Sequence, residues 1–92
     1  MKIHWTSAAL TDRMSIFTYI AQDRPGTAAA VDARIRSLVE QLARFPHRGR
    51  PGRVPDSREL VIANTPYLAI YRIHGHTLSI LRILHGSQCW PV

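Results

Sequence analysis

Arginine and histidine dominate the side chains of this sequence that can carry chemistry. Eleven of its 12 basic residues are arginine, and against 6 acidic residues they give the 92-residue chain a formal net charge of +6. A guanidinium presents a planar fork of donors that matches phosphate and carboxylate groups, and an imidazole titrates near neutrality. The composition therefore indicates a nucleic acid or an acidic protein as partner, and it does not choose between them.

Three of the arginines, Arg48, Arg50 and Arg53, fall in residues 46–57, which also contain three prolines and two glycines and only Asp56 in opposition. Proline and glycine at this density predict a loop, and residues 46–57 are called the basic loop below. Its arginines either keep the chain soluble as a solvated surface or contact a partner. Charge reversal would distinguish the two.

Arg58, Arg82 and His85 lie in or beside predicted strands. An arginine at the start of a strand, such as Arg58, more often anchors a carboxylate or carbonyl group than takes part in a reaction. Arg82 lies in an apolar strand, where an unpaired charge costs several kcal/mol, so we expect it to be paired or to face a groove. His85 ends that strand and is either a structural histidine or a proton-transfer group.

The other candidate residues favour simpler interpretations. His74 and His76 supply only two ligands, so neither a metal site nor a cofactor is expected. Cys89 is the only cysteine, which excludes an internal disulfide, and we do not expect it to be a catalytic thiol. Trp90 is expected to cover the hydrophobic core or to anchor a partner.

Two helices are predicted after a short strand at residues 2–5. Thr6 or Ser7 can cap the first helix, which ends near Asp23 and whose apolar positions are Leu10, Met14, Phe17 and Ile20 or Ala21. Residues 24–26 (Arg-Pro-Gly) are expected to interrupt the helical conformation between the two helices. Thr27 can cap a second helix that stops at Pro46 and whose apolar stripe is Val31, Ile35, Leu38, Leu42 and Phe45.

Three antiparallel strands are predicted after the basic loop, at residues 58–63, 67–73 and 77–84. Alternation in the last strand puts Leu78, Ile80, Arg82 and Leu84 on one face and Leu81, Ile83 and His85 on the other. Both faces of the sheet are largely apolar, so we expect the helix hairpin on one side and a partner on the other. The sequence thus predicts one α+β domain, residues 1–92, in the order β-α-α-β-β-β, with no membrane span and a cytoplasmic location.

The order of elements and a series of short motifs resemble the ParE/RelE superfamily of bacterial toxins along most of the chain. The matching stretches, in order, are Trp5 with Ala8-Ala9, Tyr19-Ile20-Ala21, Phe45-Pro46, Gly49-Arg50-Pro51-Gly52-Arg53, Arg58-Glu59-Leu60-Val61, Pro66-Tyr67, Tyr71-Arg72, Leu84-His85 and Trp90-Pro91. Each stretch is short, and their joint order and spacing carry the resemblance. It implies a helix hairpin on a small, mostly antiparallel sheet.

The resemblance implies the toxic half of a type II toxin-antitoxin system. RelE-type members cleave mRNA in the ribosomal A site, whereas ParE-type members antagonise DNA gyrase on the same scaffold. Both are neutralised by a cognate antitoxin whose C-terminal segment wraps over the toxin, so a hetero-oligomer is expected. The residues expected to contact target or antitoxin are Arg48, Arg50, Arg53, Arg58 and Trp90.

Two departures from the RelE-type pattern favour ParE-type inhibition of gyrase. Leu68 stands where RelE-type nucleases tend to carry arginine at the start of a Tyr-Arg-Leu-Val-Tyr strand, and residues 86–92 replace their basic, tyrosine-containing tail. RNA cleavage needs a group to accept the 2'-hydroxyl proton, cations for the phosphorane and an acid for the leaving oxygen. If this chain is a nuclease, its catalytic candidates are Arg50, Arg53, Arg58, Arg82 and His85.

Two further hypotheses concern binding without a toxic reaction. A nucleic-acid-binding module would suit the arginine content, but the sequence has no helix-turn-helix signature, zinc-ligand spacing or RNP-like aromatic strand. A degenerate toxin that binds its antitoxin and harms no target is equally compatible with these residues.

Overall fold

Two helices pack on one face of a five-stranded sheet in the computed structural model, which describes residues 1–88, 90 and 91. Cys89, and with it the expectation about its thiol, lies outside the described residues, as does Val92. The elements are β1 (Lys2–Trp5), α1 (Ser7–Ala21), α2 (Pro25–Gln41), β2 (Arg50–Pro51), β3 (Ser57–Val61), β4 (Tyr67–His74) and β5 (Thr77–His85).

The strand order in the sheet is β1-β5-β4-β3-β2. β1 runs parallel to β5, and every other neighbouring pair is antiparallel. The predicted α+β fold and the order β-α-α-β-β-β are confirmed, with one addition. The basic loop contains the two-residue strand β2, which pairs with the start of β3.

Helix α1 begins as predicted and turns a different face to the sheet. The Thr6 hydroxyl accepts a hydrogen bond from the amide of Ala9 (3.1 Å), a typical N-cap. The predicted apolar stripe is wrong as a buried face, since Leu10, Met14 and Phe17 are 47%, 72% and 40% exposed. The face that packs on the core carries Ala9, Ile16 and Ile20. Apolar residues occur on two faces of α1, and periodicity does not say which of them meets the sheet.

Helix α2 buries the predicted stripe except for its last member. Ile35 and Leu42 are fully buried and Val31 and Leu38 are partly buried, whereas Phe45 is 49% exposed because the helix ends at Gln41. Val39, which was not in the predicted stripe, is also fully buried. The helix also starts earlier than predicted. Pro25 occupies its first turn, where a missing amide hydrogen costs nothing, so the break between the helices lies at residues 22–24 and Thr27 is not the cap. Arg24 is the N-cap residue, without a side-chain hydrogen bond.

A β-bulge in β5 changes which residues face the helices. Ile70 pairs with Arg82, but the next residue, Tyr71, pairs with Ile80, so Leu81 is an extra residue. The predicted alternation is therefore wrong beyond this point. The core face of β5 carries Leu78, Ile80 and Ile83, and the opposite face carries Arg82 and Leu84.

The sheet face opposite the helices, called the outer face below, is partly closed by the chain itself. Ile70 and Leu84 are 1% and 4% exposed although they lie on this face. Together with Leu68 and Trp90 they line a narrow crevice of about 10 Å³. Among the described residues, no helix is long and apolar enough to cross a membrane.

Candidate functional site

Glu59 is the charged residue that organises the basic loop. Its side chain is 7% exposed, and its two carboxylate oxygens accept hydrogen bonds from the Arg50 guanidinium (3.2 Å) and the Arg53 backbone amide (3.3 Å). Glu59 lies on the outer face, directly opposite Arg50 in the register of β2 and β3. A buried carboxylate needs such partners to offset its desolvation. The loop is therefore folded around this one negative charge.

Tyr71 and Arg58 hold the other side of the loop. The buried Tyr71 hydroxyl donates to the Pro46 carbonyl (2.7 Å) and accepts from the Gly49 amide (2.9 Å). Burial raises the pKa of Tyr71, partly offset by the Gly49 hydrogen bond and by Arg58. Arg58 donates to the carbonyls of Gly49 (2.6 Å) and His47 (3.4 Å). Arg58 thus anchors carbonyl groups, one of the roles expected from the sequence.

The close approach of this loop to the sheet requires its glycines. A Cβ atom at position 49 would lie 2.7 Å from the Tyr71 ring and hydroxyl, and one at position 52 would collide with the Ser57 hydroxyl. No other residue type fits without displacing the loop. Close packing against the sheet therefore explains the two glycines of the Gly-Arg-Pro-Gly-Arg stretch at 49–53.

Held in this way, the loop presents its arginines to solvent. The Arg50 side chain is 62% exposed despite its bond to Glu59. Arg48 donates to the Gln41 side chain (2.6 Å), and its guanidinium lies over the ring of Phe45, 4.7 Å from the ring centre. Cation–π stacking of this kind restricts the guanidinium at modest energy. The result is an exposed basic surface on a fixed backbone.

Arg82 makes an ion pair with Asp12 of α1. The two groups form a bidentate contact at 2.7 and 3.0 Å, and Asp12 also accepts from the Ile83 amide (2.9 Å). The hydrogen bond that Arg82 donates to Asp12 raises the pKa of Arg82 against the opposing effect of burial. Beyond the end of β1, this carboxylate satisfies a backbone amide on the free edge of β5. The charge of Arg82 is therefore used within the fold, as one of the two expected interpretations requires.

His85 lies on the opposite face from Arg82, at the end of β5. Its Nδ1 atom lies 3.1 Å from the Ser87 amide, which donates to it, and 2.8 Å from the Ser87 hydroxyl. Its ring meets the edge of Tyr67 at a centroid distance of 5.8 Å. These contacts fix the ring at an exposed corner of the sheet, facing away from the outer face.

The five nuclease candidates are not brought together. Arg50, Glu59, Ile70 and Arg82 form one row across β2, β3, β4 and β5 on the outer face. Three interstrand steps separate the α-carbons of the two arginines by roughly 14 Å. Arg58 is opposite Tyr71 and His85 opposite Tyr67, both on the helix side. Of the five candidates, Arg50 and Arg53 meet at one group, the Glu59 carboxylate, to which Arg50 donates through its guanidinium and Arg53 through its backbone amide.

Leu68 and Trp90 lie together in the outer-face crevice, at the position where the sequence departs from the RelE-type pattern. The crevice is lined by Leu68, Ile70, Leu84 and Trp90, with Arg53, Glu59 and Gln88 at its polar side. Trp90 thus covers apolar side chains, as one of its two predicted roles requires. Among the described residues there is no group of three His, Cys, Asp or Glu side chains placed to hold a metal ion.

Sequence reasoning did not single out Glu59, Tyr71 or Asp12, the three residues that fix the arginines. The signals were present for two of them. Glu59 is an acidic residue inside an apolar strand beside a basic loop, and Asp12 is the only acidic residue in α1. Tyr71 had no such signal, because a tyrosine in a core strand is normally an apolar residue first.

Comparison with known proteins agrees with this architecture. The family model described as the ParE toxin of the type II toxin-antitoxin system, parDE, matches residues 3–90. The Sinorhizobium fredii protein Y4kP is 46% identical over 90 residues, covering 98% of this chain and 93% of that protein. Toxin RelE2 of Caulobacter vibrioides is 33% identical over 87 residues, covering 95% of this chain and 97% of its own.

A solved structure, described as the chromosomal ParDE system from P. aeruginosa, superposes with a TM-score of 0.86 at 30% identity. The match covers 92% of this chain and 95% of that chain. The order of elements, the family model and these relatives agree. This chain belongs to the ParE toxin family of type II toxin-antitoxin systems.

Proposed function

We propose that this toxin acts by ParE-type inhibition of DNA gyrase in the bacterial cytoplasm. The observation that carries the proposal is the apolar crevice on the outer face. Leu68 occupies the position of the arginine found in RelE-type nucleases, and it is surrounded by Ile70, Leu84 and Trp90. A phosphorane needs cations and proton donors around it. The part of the crevice around Leu68 is an apolar wall instead, with Arg53, Glu59 and Gln88 on its other side.

The positions of the remaining candidates support the same proposal. Arg82 is paired with Asp12, and His85 lies on the other face of the sheet. Arg50 forms a salt bridge with Glu59, whose carboxylate is nearly buried. A binding surface needs only exposed, fixed charges, which Arg48, Arg50 and the rest of the basic loop provide.

Ribosome-dependent cleavage of mRNA is the second candidate function. It is favoured by the relative named Toxin RelE2, which is 33% identical over nearly the whole chain. Arg50 and Arg53, both adjacent to Glu59, would be the first catalytic candidates under this alternative. The two functions differ in target and in product, so they separate cleanly in parallel assays.

The deciding experiment compares purified toxin in a gyrase supercoiling assay and in an mRNA cleavage assay on translating ribosomes. We expect blocked supercoiling and intact mRNA. Arg48→Glu should weaken inhibition of gyrase, whereas Arg34→Glu, the same charge reversal at an exposed site on α2, should not. Cut mRNA with normal supercoiling would overturn the proposal in favour of the nuclease.

A type II toxin is one half of a pair, so this chain has an antitoxin partner. We place the antitoxin segment on the exposed apolar side of α1. Leu10, Met14 and Phe17 line an open groove there with Arg13 and Asp32. Large apolar side chains exposed together mark an interaction surface. The net charge of +6 favours an acidic, amphipathic segment as the one that covers them.

Met14→Asp tests this placement, because a 72% exposed side chain can be replaced with little effect on stability. We expect it to weaken antitoxin binding at least about tenfold, the loss that follows from placing a charge in an apolar contact. Ser15→Asp is the control, because Ser15 is also exposed on α1 but lies about 100° around the helix axis from Met14. Equal affinity of both variants would exclude this face as the antitoxin site.

A further inference from the structure

A cleft lies at the end of the sheet farthest from the outer-face crevice. β3 begins at Ser57, which pairs with Arg72, so the last two residues of β4 extend beyond it without a partner strand on that side. The basic loop runs past this gap and leaves a space of about 420 Å³. Its polar lining consists of two arginines, two histidines, one aspartate and one serine: Arg58, Arg72, His47, His74, Asp56 and Ser57.

Arg72 has unused hydrogen-bonding capacity in this cleft. Its Nε atom is buried and, within the part of the chain that the structure describes, has no hydrogen-bond partner. One Nη atom donates to the Pro55 carbonyl at 3.5 Å, the outer limit for such a bond. Buried polar groups in proteins are nearly always paired, and an unpaired one calls for an explanation such as an ion. The Nε atom itself is shielded from solvent, so an anion in the cleft would be held by the Nη atoms, for which the described residues supply only the long bond to Pro55.

The charges around Arg72 favour an anion. Neither Arg72 nor Arg58 forms a salt bridge with any carboxylate among the described residues, although Arg58 donates to two loop carbonyls. His47 and His74 are exposed and add imidazole N–H groups to the lining. Asp56 is the one opposing charge in the lining. Two guanidinium groups against one carboxylate make the cleft electropositive.

We propose that this cleft binds a phosphate group, carried by a free nucleotide or by a nucleic-acid strand. A guanidinium fork and flanking imidazoles match the several oxygens of a tetrahedral phosphate. The space lies within the size range of small-molecule sites and exceeds what inorganic phosphate alone would fill. This proposal does not depend on the toxin's target, because it concerns residues outside the nuclease candidates except for Arg58.

The test is an NMR titration of full-length toxin with inorganic phosphate, comparing wild type, Arg72→Gln and Arg34→Gln. Arg34 is an exposed arginine on α2, so its substitution removes the same charge away from the cleft. We expect shifts at the amides of Ser57 and Ile73, and affinity at least about tenfold weaker in Arg72→Gln alone, the usual scale for a charged hydrogen bond. Equal weakening in both variants would show non-specific attraction and overturn the proposal.

Asp56→Asn is a variant for which we expect the opposite change, tighter phosphate binding. Asp56 has φ of 65°, a conformation that asparagine adopts readily, so the variant keeps the loop. Removing one negative charge near the site should tighten phosphate binding about threefold at the distances found within such a cleft. Unchanged or weaker binding would contradict the proposal even if Arg72→Gln did not fold.

Two further probes distinguish the sources of phosphate. A short single-stranded oligonucleotide without terminal phosphates that displaces inorganic phosphate identifies a strand as the ligand. Adenosine monophosphate that displaces it, with no effect of the oligonucleotide, identifies a free nucleotide. Acetate binding as tight as phosphate binding would refute a phosphate site.

Discussion

Replacing Tyr71 with phenylalanine should release the basic loop from the sheet. The ring is fully buried and would keep its packing, so the change removes only the hydroxyl. That hydroxyl donates to the Pro46 carbonyl at 2.7 Å and accepts from the buried Gly49 amide at 2.9 Å. Leaving a buried donor or acceptor unpaired costs ~1–3 kcal/mol. The bond to Gly49 is buried and the bond to Pro46 only partly so, and the two together therefore predict a loss of roughly 2–4 kcal/mol in the free energy of unfolding.

Urea unfolding of the purified toxin measures this loss directly, and thermal unfolding gives a second readout. For a domain of this size, each kcal/mol lowers Tm by ~4–8 °C, so the expected shift is roughly 10–30 °C. Tyr19→Phe is the matched control, because Tyr19 is 73% exposed and its hydroxyl faces solvent. The control should change the free energy of unfolding by less than ~0.5 kcal/mol.

Hydrogen exchange separates a loosened loop from a general loss of stability. The Gly49 amide should exchange faster in Tyr71→Phe than the destabilisation alone explains, because its acceptor is gone. If Tyr71→Phe and Tyr19→Phe unfold at the same urea concentration and Gly49 exchange is unchanged, the hydroxyl does not hold the loop and this reasoning is refuted.

Three other predictions follow from contacts within the fold. Asp12→Asn should lower the unfolding free energy in urea by roughly 1–3 kcal/mol, because Arg82 loses its bidentate partner; no change would mean that the pair is solvated. Gly49→Ala should cost about 1–3 kcal/mol by the same measurement, since its Cβ would lie 2.7 Å from Tyr71. Burial raises the pKa of Tyr71 and Tyr67 above 10.0, so the unfolded state loses these protons first. The contribution of these two tyrosines to stability should therefore be constant below pH 10 and fall as the pH rises above it, and a rise in stability there would show that the sign is wrong.

The sequence predicted the elements whose apolar residues follow a single periodicity and whose ends are marked by characteristic residues. The α+β order, the N-cap at Thr6 and most of the α2 stripe were predicted correctly because proline, glycine and hydroxyl residues mark the boundaries locally. The buried face of α1 was not, because two faces of that helix carry apolar residues and only the sheet decides between them. Pattern alone contains no information on which of two apolar faces finds a partner.

The arrangement of β5 was missed for a different reason. An alternation rule assumes one residue per step, and the bulge at Leu81 reverses the faces of everything after it. An ion pair was one of the two expectations for Arg82, but its partner Asp12 was not predicted, since the two residues are 70 positions apart. The separation of the nuclease candidates likewise depends on strand register, which the spacing of residues along the chain does not encode.

The parallel pairing of β1 with β5 has a consequence for how the toxin is made. Lys2 pairs with Thr77 and Trp5 with Ile80, so the first strand of the sheet can pair only after the last strand is present. Contacts of such long sequence separation slow folding, because a large loop must close before they form. Since a ribosome encloses the most recently added residues, the sheet is completed only after synthesis of β5, and a nascent chain that stops short of it lacks the strand that joins β1 to β4.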